Sequence, residues 1–357
     1  MAVKKKVKLT SREKITVTIS VILIIISVLA VSFVFLWNWK PFDNQKGGVF
    51  TPPVSNETDV KNEIGQRYVN FLIVGLDESE LLSDVILVIC VDIQKKSAEI
   101  LQIPRDSYVT TQTSTGKINS IYNHGDQSLQ PVQRLIKIIY EQFKLQIDYY
   151  GVITLDSFRN IVDAIGGVPV NMPQKLVYDP SKIIPAGEQI LNGEQAEWLV
   201  RHRSSYVEGD IGRIKAQRLF LASFVQKIKE LGLMQFTTKI IPKIYDQISS
   251  NMAIKDVVKY ADSFFDIEME NIRIHMIPGE GYMYKGQAVW AIHADETAQL
   301  LNNYFRPYSS DIPVEKLGII RLTYTGDWYE NTDDNFSDII DGKTPGQKTN
   351  NSESSNN

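Results

Sequence analysis

Residues 70–92 read NFLIVGLDESELLSDVILVICVD. Two apolar, β-branched runs flank a short polar stretch, which is the pattern of two buried strands joined by a turn. A third run of the same kind, AEILQIP, follows at 98–104. Asp77 ends the first strand and Asp84 opens the second, so neighbouring strand ends bring both carboxylates to one edge of the sheet. Two carboxylates beside a polyanion are what Mg²⁺ needs, because it takes one or two of them and leaves its other positions to phosphate oxygens and water. Aspartate is also a common turn residue at strand ends, so turn chemistry accounts equally for both positions. Cys90, the only cysteine, sits inside the second run and is expected to be a buried, inert thiol. A single cysteine excludes an intramolecular disulfide and a cysteine-rich zinc site.

Outward from these strands the periodicity changes repeatedly. PVQRLIKIIYEQFK (131–144) has apolar residues at helical spacing. DYYGVITLD then reads as a strand, and SFRNIVDAIGG as a helix closed by Gly166 or Gly167. GEQAEWLV predicts a helix, VRHRS a short strand, and GDIGRIKAQRLFLASFVQKIKEL a long amphipathic helix with Asp210 in its first turn. Residues 241–267 read as largely helical, 271–294 as two strands around a Gly-rich turn, and 295–305 as a short helix. Alternating strands and helices predict one layered domain, α/β or α+β, over 67–325. Residues 38–66 lack periodicity and read as a linker. Residues 326–357 are polar and Asn/Ser-rich and are expected to be a disordered tail.

Charge is unevenly spread. Six basic residues against one acid leave residues 1–14 at +5, so the remaining 343 carry −9 of the chain's net −4. Residues 15–37 hold no charge, and 23 residues span about 34 Å as a helix, enough for a hydrocarbon core of about 30 Å. Trp37 and Trp39 fall where an interfacial aromatic belt is expected, with Lys40 after them. The basic arm predicts a cytoplasmic N-terminus and an extracellular domain behind a retained signal anchor. A cleaved signal peptide is the competing reading, but the apolar run exceeds the usual length and no small-x-small site follows it. An acidic exterior without a helix-turn-helix pattern excludes nucleic acid as a partner.

The arginines carry the remaining signal. Arg201 and Arg203 are two apart and would share one face of a strand, with His202 on the other. Asp210, Arg213 and Gln217 recur at i, i+3 and i+7 and line one helix face. Arg105 stands just past the third strand, where α/β sheets hold their ligands. Planar guanidinium groups suit bidentate binding of phosphate oxygens, and several converging would suit a pyrophosphate. The same residues would also suit a solvated surface of ion pairs. His124 and Asp126, in YNHGD, read as loop residues.

The stretches NFLIVGLD, SDVILVICVD, IPRDSYV, GKINSIYNHG, IDYYGVITLDSFRNIVDAIGGVPV, LNGEQAEWLVRHRS and GDIGRIKAQR occur in the order found in the LytR–CpsA–Psr family, which this chain resembles over roughly residues 68–230. The resemblance implies an α-β-α sandwich with a mixed central sheet. It implies a membrane-anchored phosphotransferase that moves a teichoic acid, capsule or related glycan from a polyprenyl-pyrophosphate carrier to peptidoglycan. Asp77 and Asp84 would hold Mg²⁺, or Mn²⁺ in its place. Arg105, Arg201, Arg203 and Arg213 would bind the pyrophosphate, Gln217 would support that head group, and Asp210 would orient arginines or assist the acceptor hydroxyl. Lys117 and Asn119, in GKIN, would make loop or head-group contacts. Hydrolysis of the carrier pyrophosphate would be a side activity. Binding of polyprenyl phosphate without turnover, and attenuation of envelope-gene transcription, are the rival functions. Ser79, Leu82 and Ala216 stand where many members of the family carry arginine.

Overall fold

The computed structural model describes residues 37, 47–53, 67–202, 210–307, 309–322 and 334–342. Apart from Trp37, the expected span 15–37 lies outside them, as do the basic arm before it and most of the linker. Among the described residues no helix is long and apolar enough to cross a membrane.

The quoted stretch forms the centre of a mixed sheet. Strands β1 (Tyr68–Leu76) and β2 (Ser83–Asp92) pair antiparallel, and β3 (Ser97–Gln102) continues the meander. Helices α1 (Ile118–His124) and α2 (Pro131–Phe143) lead to β4 (Tyr149–Ile153), which lies parallel to β1. After helix α3 (Leu155–Ala164) come two small antiparallel pairs: β5 (Val168–Met172) with β8 (Gly187–Leu191), and β6 (Leu176–Asp179) with β7 (Lys182–Ile184). Helices α4 (Gly193–Arg201) and α5 (Asp210–Leu231) follow, then β9 (Ser249–Ser250) and helix α6 (Ile254–Phe265). Strand β10 (Ile272–Met276) lies parallel to β3, and β11 (Gly279–Tyr284) and β12 (Gln287–Ile292) form a hairpin before helix α7 (Ala294–Tyr304). Strand β13 (Asp334–Asn335) and helix α8 (Phe336–Ile340) end the described chain. The central sheet runs β13-β10-β3-β2-β1-β4-β9.

Both faces of this sheet are covered, which is why its strands read as near-continuous apolar runs. Leu72, Val74, Ile86, Val88 and Leu101 face α2, packing with Val132, Leu135, Ile139 and Phe143. Residues at the intervening positions, Ile73, Leu87 and Ile100, face the other way towards Ala222 of α5 and Phe336 of α8. Cys90 is buried within the α2-facing core, and burial pushes its thiol up to about 12, so it is inert as expected.

Several sequence expectations need correction. The described part of VRHRS, residues 200–202, is not a strand: α4 runs on to Arg201, started by a capping box in which Asn192 and Gln195 satisfy each other's backbone N–H groups. Arg201 and Arg203 therefore share no strand face, and Arg203 lies outside the described residues. Residues 271–294 hold three strands rather than two, because Lys285 and Gly286 both take positive φ, at 49° and 77°, and close a tight hairpin. Strand β9 interrupts the stretch expected to be largely helical. Part of the expected linker docks on the domain: Gly48 N–H donates to Ser128 O at 2.7 Å, and the Phe50 ring meets Tyr140. Finally, residues 334–342 belong to the fold and not to a disordered tail, since β13 extends the sheet through Arg273 and Ile274.

Candidate functional site

The turn end of the β1–β2 hairpin, the end of β3 and the first half of α5 enclose a cleft lined by Asp84, Gln102, Arg105, Arg213 and Gln217. Sheet register explains the convergence. Strand β2 pairs with β3 through Leu87 and Gln102, so the start of one lies beside the end of the other. Asp84 and Arg105 are thereby neighbours, and Arg105 Nη1 donates to Asp84 Oδ1 at 2.6 Å. Arg105 Nε lies 3.8 Å from Asp106 Oδ2, and Lys117 Nζ donates to Asp106 Oδ1 at 2.9 Å. Charges thus alternate from Asp84 through Arg105 and Asp106 to Lys117, all partly buried.

The loop that carries Arg105 is fastened by backbone. Asn119 N–H donates to Arg105 O at 3.1 Å, and Ile118 N–H to Ser107 O at 2.9 Å. Asn119 is itself buried, and its carbonyl accepts from Ser83 Oγ, so the residue braces the strand end. Gly116 permits the approach: with φ at +68°, a Cβ there would lie 2.1 Å from the Tyr108 ring.

From α5, Arg213 and Gln217 enter the cleft on one helix face, as their spacing predicts. Arg213 is 4% exposed. Asp210 opens this helix, but its side chain is outside the described residues.

Arg201 takes a different position. Its Nη1 donates to Glu197 Oε1 at 2.7 Å and its Nη2 to Glu78 Oε2 at 3.2 Å. Burial works against its charge, but the hydrogen bond that Arg201 donates to Glu197 and the others around it hold the guanidinium protonated. The ion-paired reading therefore describes Arg201, which ties α4 to the turn after β1. Glu197 also binds Arg159 and is itself buried. Glu197 was not among the sequence candidates, although its i, i+4 spacing to Arg201 on a helix was a readable signal.

Asp77 closes its own turn. Its Oδ1 accepts from the N–H groups of Leu81 and Leu82, both at 3.0 Å, and its Oδ2 from Ser79 Oγ at 2.7 Å. Burial would raise its pKa, but these hydrogen bonds, Leu82 foremost, hold it below the ordinary carboxylate range. A carboxylate depressed on folding adds stability above its unfolded pKa of about 4, and that stability is lost as pH falls through the lower folded value. Thermal melts of the wild type should therefore drop more steeply below about pH 4 than those of Asp77→Asn; parallel curves would contradict this role. Asp126 likewise serves its loop, accepting from Ser128 Oγ at 2.6 Å and Lys137 Nζ at 2.9 Å.

Asp84 Oδ1 accepts from Arg105, and Asp77 accepts from three donors of its own turn, two on Oδ1 and one on Oδ2. A carboxylate has about four lone-pair sites, so each could still meet a hard cation. No group of three or more His, Cys, Asp or Glu side chains able to hold a metal occurs among the described residues. Mg²⁺ needs only one or two carboxylates and is completed by substrate phosphate and water. Chemically, the cleft can draw in a polyanion, fix its oxygens with Arg105, Arg213 and Gln217, and neutralise charge that develops on it.

Residues 46–306, more than half of the chain, match the model of the LytR_cpsA_psr family. The chain is 27% identical over 221 residues to the polyisoprenyl-teichoic acid–peptidoglycan teichoic acid transferase TagV of Bacillus subtilis (strain 168), covering 56% of this chain and 55% of that protein. It thus spans about half the length of that relative. With the transferase TagU of Bacillus mycoides (strain KBAB4) it shares 25% identity over 270 residues, 72% of this chain and 81% of the relative. The fold is similar to the crystal structure of B. subtilis TagV, with a TM-score of 0.59 and 21% identity, over 68% of this chain and 97% of that one.

Proposed function

The chain belongs to the LytR_cpsA_psr family, and from that footing we propose that it transfers a teichoic acid, capsule or related glycopolymer from a polyprenyl-pyrophosphate carrier to peptidoglycan. Relatives named as teichoic acid–peptidoglycan transferases support the reaction class. The observation that carries the reading is the cleft itself, where Arg105, Arg213 and Gln217 gather beside Asp84 at a strand end.

In this mechanism the pyrophosphate lies against Arg105 and Arg213, whose guanidinium groups hold its oxygens and oppose charge on the departing phosphate. Gln217 donates to the same head group. Arg203 and Asp210, on the segment entering α5, complete the set. Lys117 acts at the rim through Asp106, and Arg201 fixes the turn that bears Asp77 and Glu78. A muramic-acid hydroxyl attacks the glycan-side phosphorus. Its oxygen–phosphorus bond forms as the bond from that phosphorus to the bridging oxygen breaks, the hydroxyl proton passes to the Asp210 carboxylate or to water, and polyprenyl monophosphate leaves. Asp84 and Asp77 would hold Mg²⁺, which when bound supplies further charge neutralisation on the phosphates. Water in place of the hydroxyl would give the hydrolytic side activity.

The uncharged run 15–37 would anchor the domain at the outer face of the cell membrane, where the lipid carrier is presented. Polyprenyl monophosphate should be released from a lipid-linked glycan much faster when uncross-linked peptidoglycan is added than with water as the only acceptor. Chelating divalent cations should slow its release about a hundredfold or more. Tight carrier binding with no release under any condition would identify a carrier-binding protein instead.

A further inference from the structure

Behind the cleft a line of buried polar side chains runs to the last strand of the sheet. Asp334, in β13, accepts on Oδ2 from Arg218 Nη1 at 2.8 Å. Both side chains are almost wholly buried, Arg218 at 3% exposure and Asp334 at 7%. Arg218 Nε donates to Gln102 Oε1 at 3.0 Å, and Gln102 Nε2 donates to Gln217 Oε1 at 3.3 Å. Gln217 Nε2 in turn donates to Val200 O at 3.1 Å. Gln102 and Gln217 are the two glutamines that line the cleft.

The polarity of this line is dictated from its far end. A guanidinium only donates, so Gln102 must turn its oxygen to Arg218 and its amino group to Gln217. Gln217 must then turn its oxygen to Gln102, which leaves its amino group to donate elsewhere. Val200 takes one of those hydrogens, and the second can serve an anionic oxygen. With the amides reversed, carbonyl oxygens would meet the phosphate and repel it. The carboxylate of Asp334 anchors the guanidinium that opposes this reversal, alongside the Val200 carbonyl, which holds the Gln217 amide the same way round. Asp334 lies beyond residue 306, where the family match ends.

We propose that Arg218 and Asp334 are positioning residues of the transfer site, fixing the amides of Gln102 and Gln217 so that Gln217 presents a hydrogen-bond donor to the pyrophosphate. The proposal rests on reading the cleft as a pyrophosphate site, and its test separates the two. Equilibrium binding of farnesyl pyrophosphate to the full-length protein in detergent would be measured calorimetrically. Arg218→Met and Asp334→Leu are introduced together, because a buried ion pair exchanged for apolar groups is better tolerated than one stranded charge. The paired substitution is made with Gln217 present and again in a Gln217→Ala background.

With Gln217 present the paired substitution should weaken binding about tenfold, and with Gln217 already removed by less than about twofold. An equal loss in both backgrounds would mark a merely structural contribution and overturn the proposal, as would unchanged affinity with Gln217 present. A wild type that does not bind the probe would overturn the reading of the cleft, and the positioning role with it. Asp334→Asn keeps the shape of the anchor without its charge and serves if the paired variant does not fold. It should show the same dependence on Gln217 at about threefold, and a loss independent of Gln217 would refute the proposal.

Discussion

Arg105→Ala should slow glycopolymer transfer about a thousandfold or more, the scale on which a charge-stabilising arginine contributes to phosphoryl transfer. Two losses combine in this variant. The guanidinium proposed to face the phosphates disappears, and Asp84 is left without the donor that lies 2.6 Å from its Oδ1. An unpaired carboxylate in the cleft repels the incoming pyrophosphate. Arg105→Lys should recover only part of the rate, because an ammonium restores the charge but not the planar fork that grips two oxygens. The fold should survive both changes. Arg105 is at the cleft surface, and its loop is held by the backbone bonds from Ile118 and Asn119. Initial rates of polyprenyl monophosphate release, compared with thermal melts, separate chemistry from folding. A rate for Arg105→Ala within about threefold of wild type would remove Arg105 from the site.

Phe336→Ala should lower the unfolding free energy by about 3–5 kcal/mol, the usual cost of emptying a fully buried phenylalanine site. Phe336 is 0% exposed. It packs with Ala98, Ile100, Ile272, Ile274 and Ala222, so it fills the space between the sheet and α5. Its helix is capped by Asn335, whose side chain accepts from Asp338 N–H at 2.8 Å. Denaturant titration followed by fluorescence would measure the loss. A change under about 1 kcal/mol would return residues 334–342 to the tail that the composition implied. Asp334, in the strand just before this helix, pairs with Arg218, so this region should also affect the cleft.

These two sites show what a single sequence discloses. The central strands were legible because burial on both faces leaves an apolar run that turn residues interrupt, as in 70–92. The places of Asp84 and Arg105 at strand ends were legible, though not their pairing, and the shared face of Arg213 and Gln217 followed from helical spacing. Phe336 was hidden because one short helix in an Asn/Ser-rich stretch has no period to detect, although FSDII after Asn335 is a capped apolar segment. The two-residue spacing of Arg201 and Arg203 suggests a strand, but Arg201 ends a helix. The capping pair Asn192 and Gln195 and the Glu197–Arg201 spacing both mark a helix.

Asp77 exposes a different limit. Its place at the end of β1 was readable, but the direction of its carboxylate was not. Three donors within its own turn claim the oxygens, and no periodic pattern records that. Gln102 and Arg218 were missed because a polar residue in a buried strand and a second arginine on a long helix acquire meaning only when the sheet brings them together.

The most direct test of the transfer reaction is the mass of the peptidoglycan product. Full-length protein would be incubated with a polyprenyl-pyrophosphate-linked glycan, Mg²⁺ and uncross-linked peptidoglycan, and the muropeptides released by digestion would be weighed. Wild type should yield a muropeptide heavier by the glycan plus one phosphodiester, and Arg105→Ala should not. Carrier consumed with no such adduct, for every glycan offered, would contradict the proposed transfer.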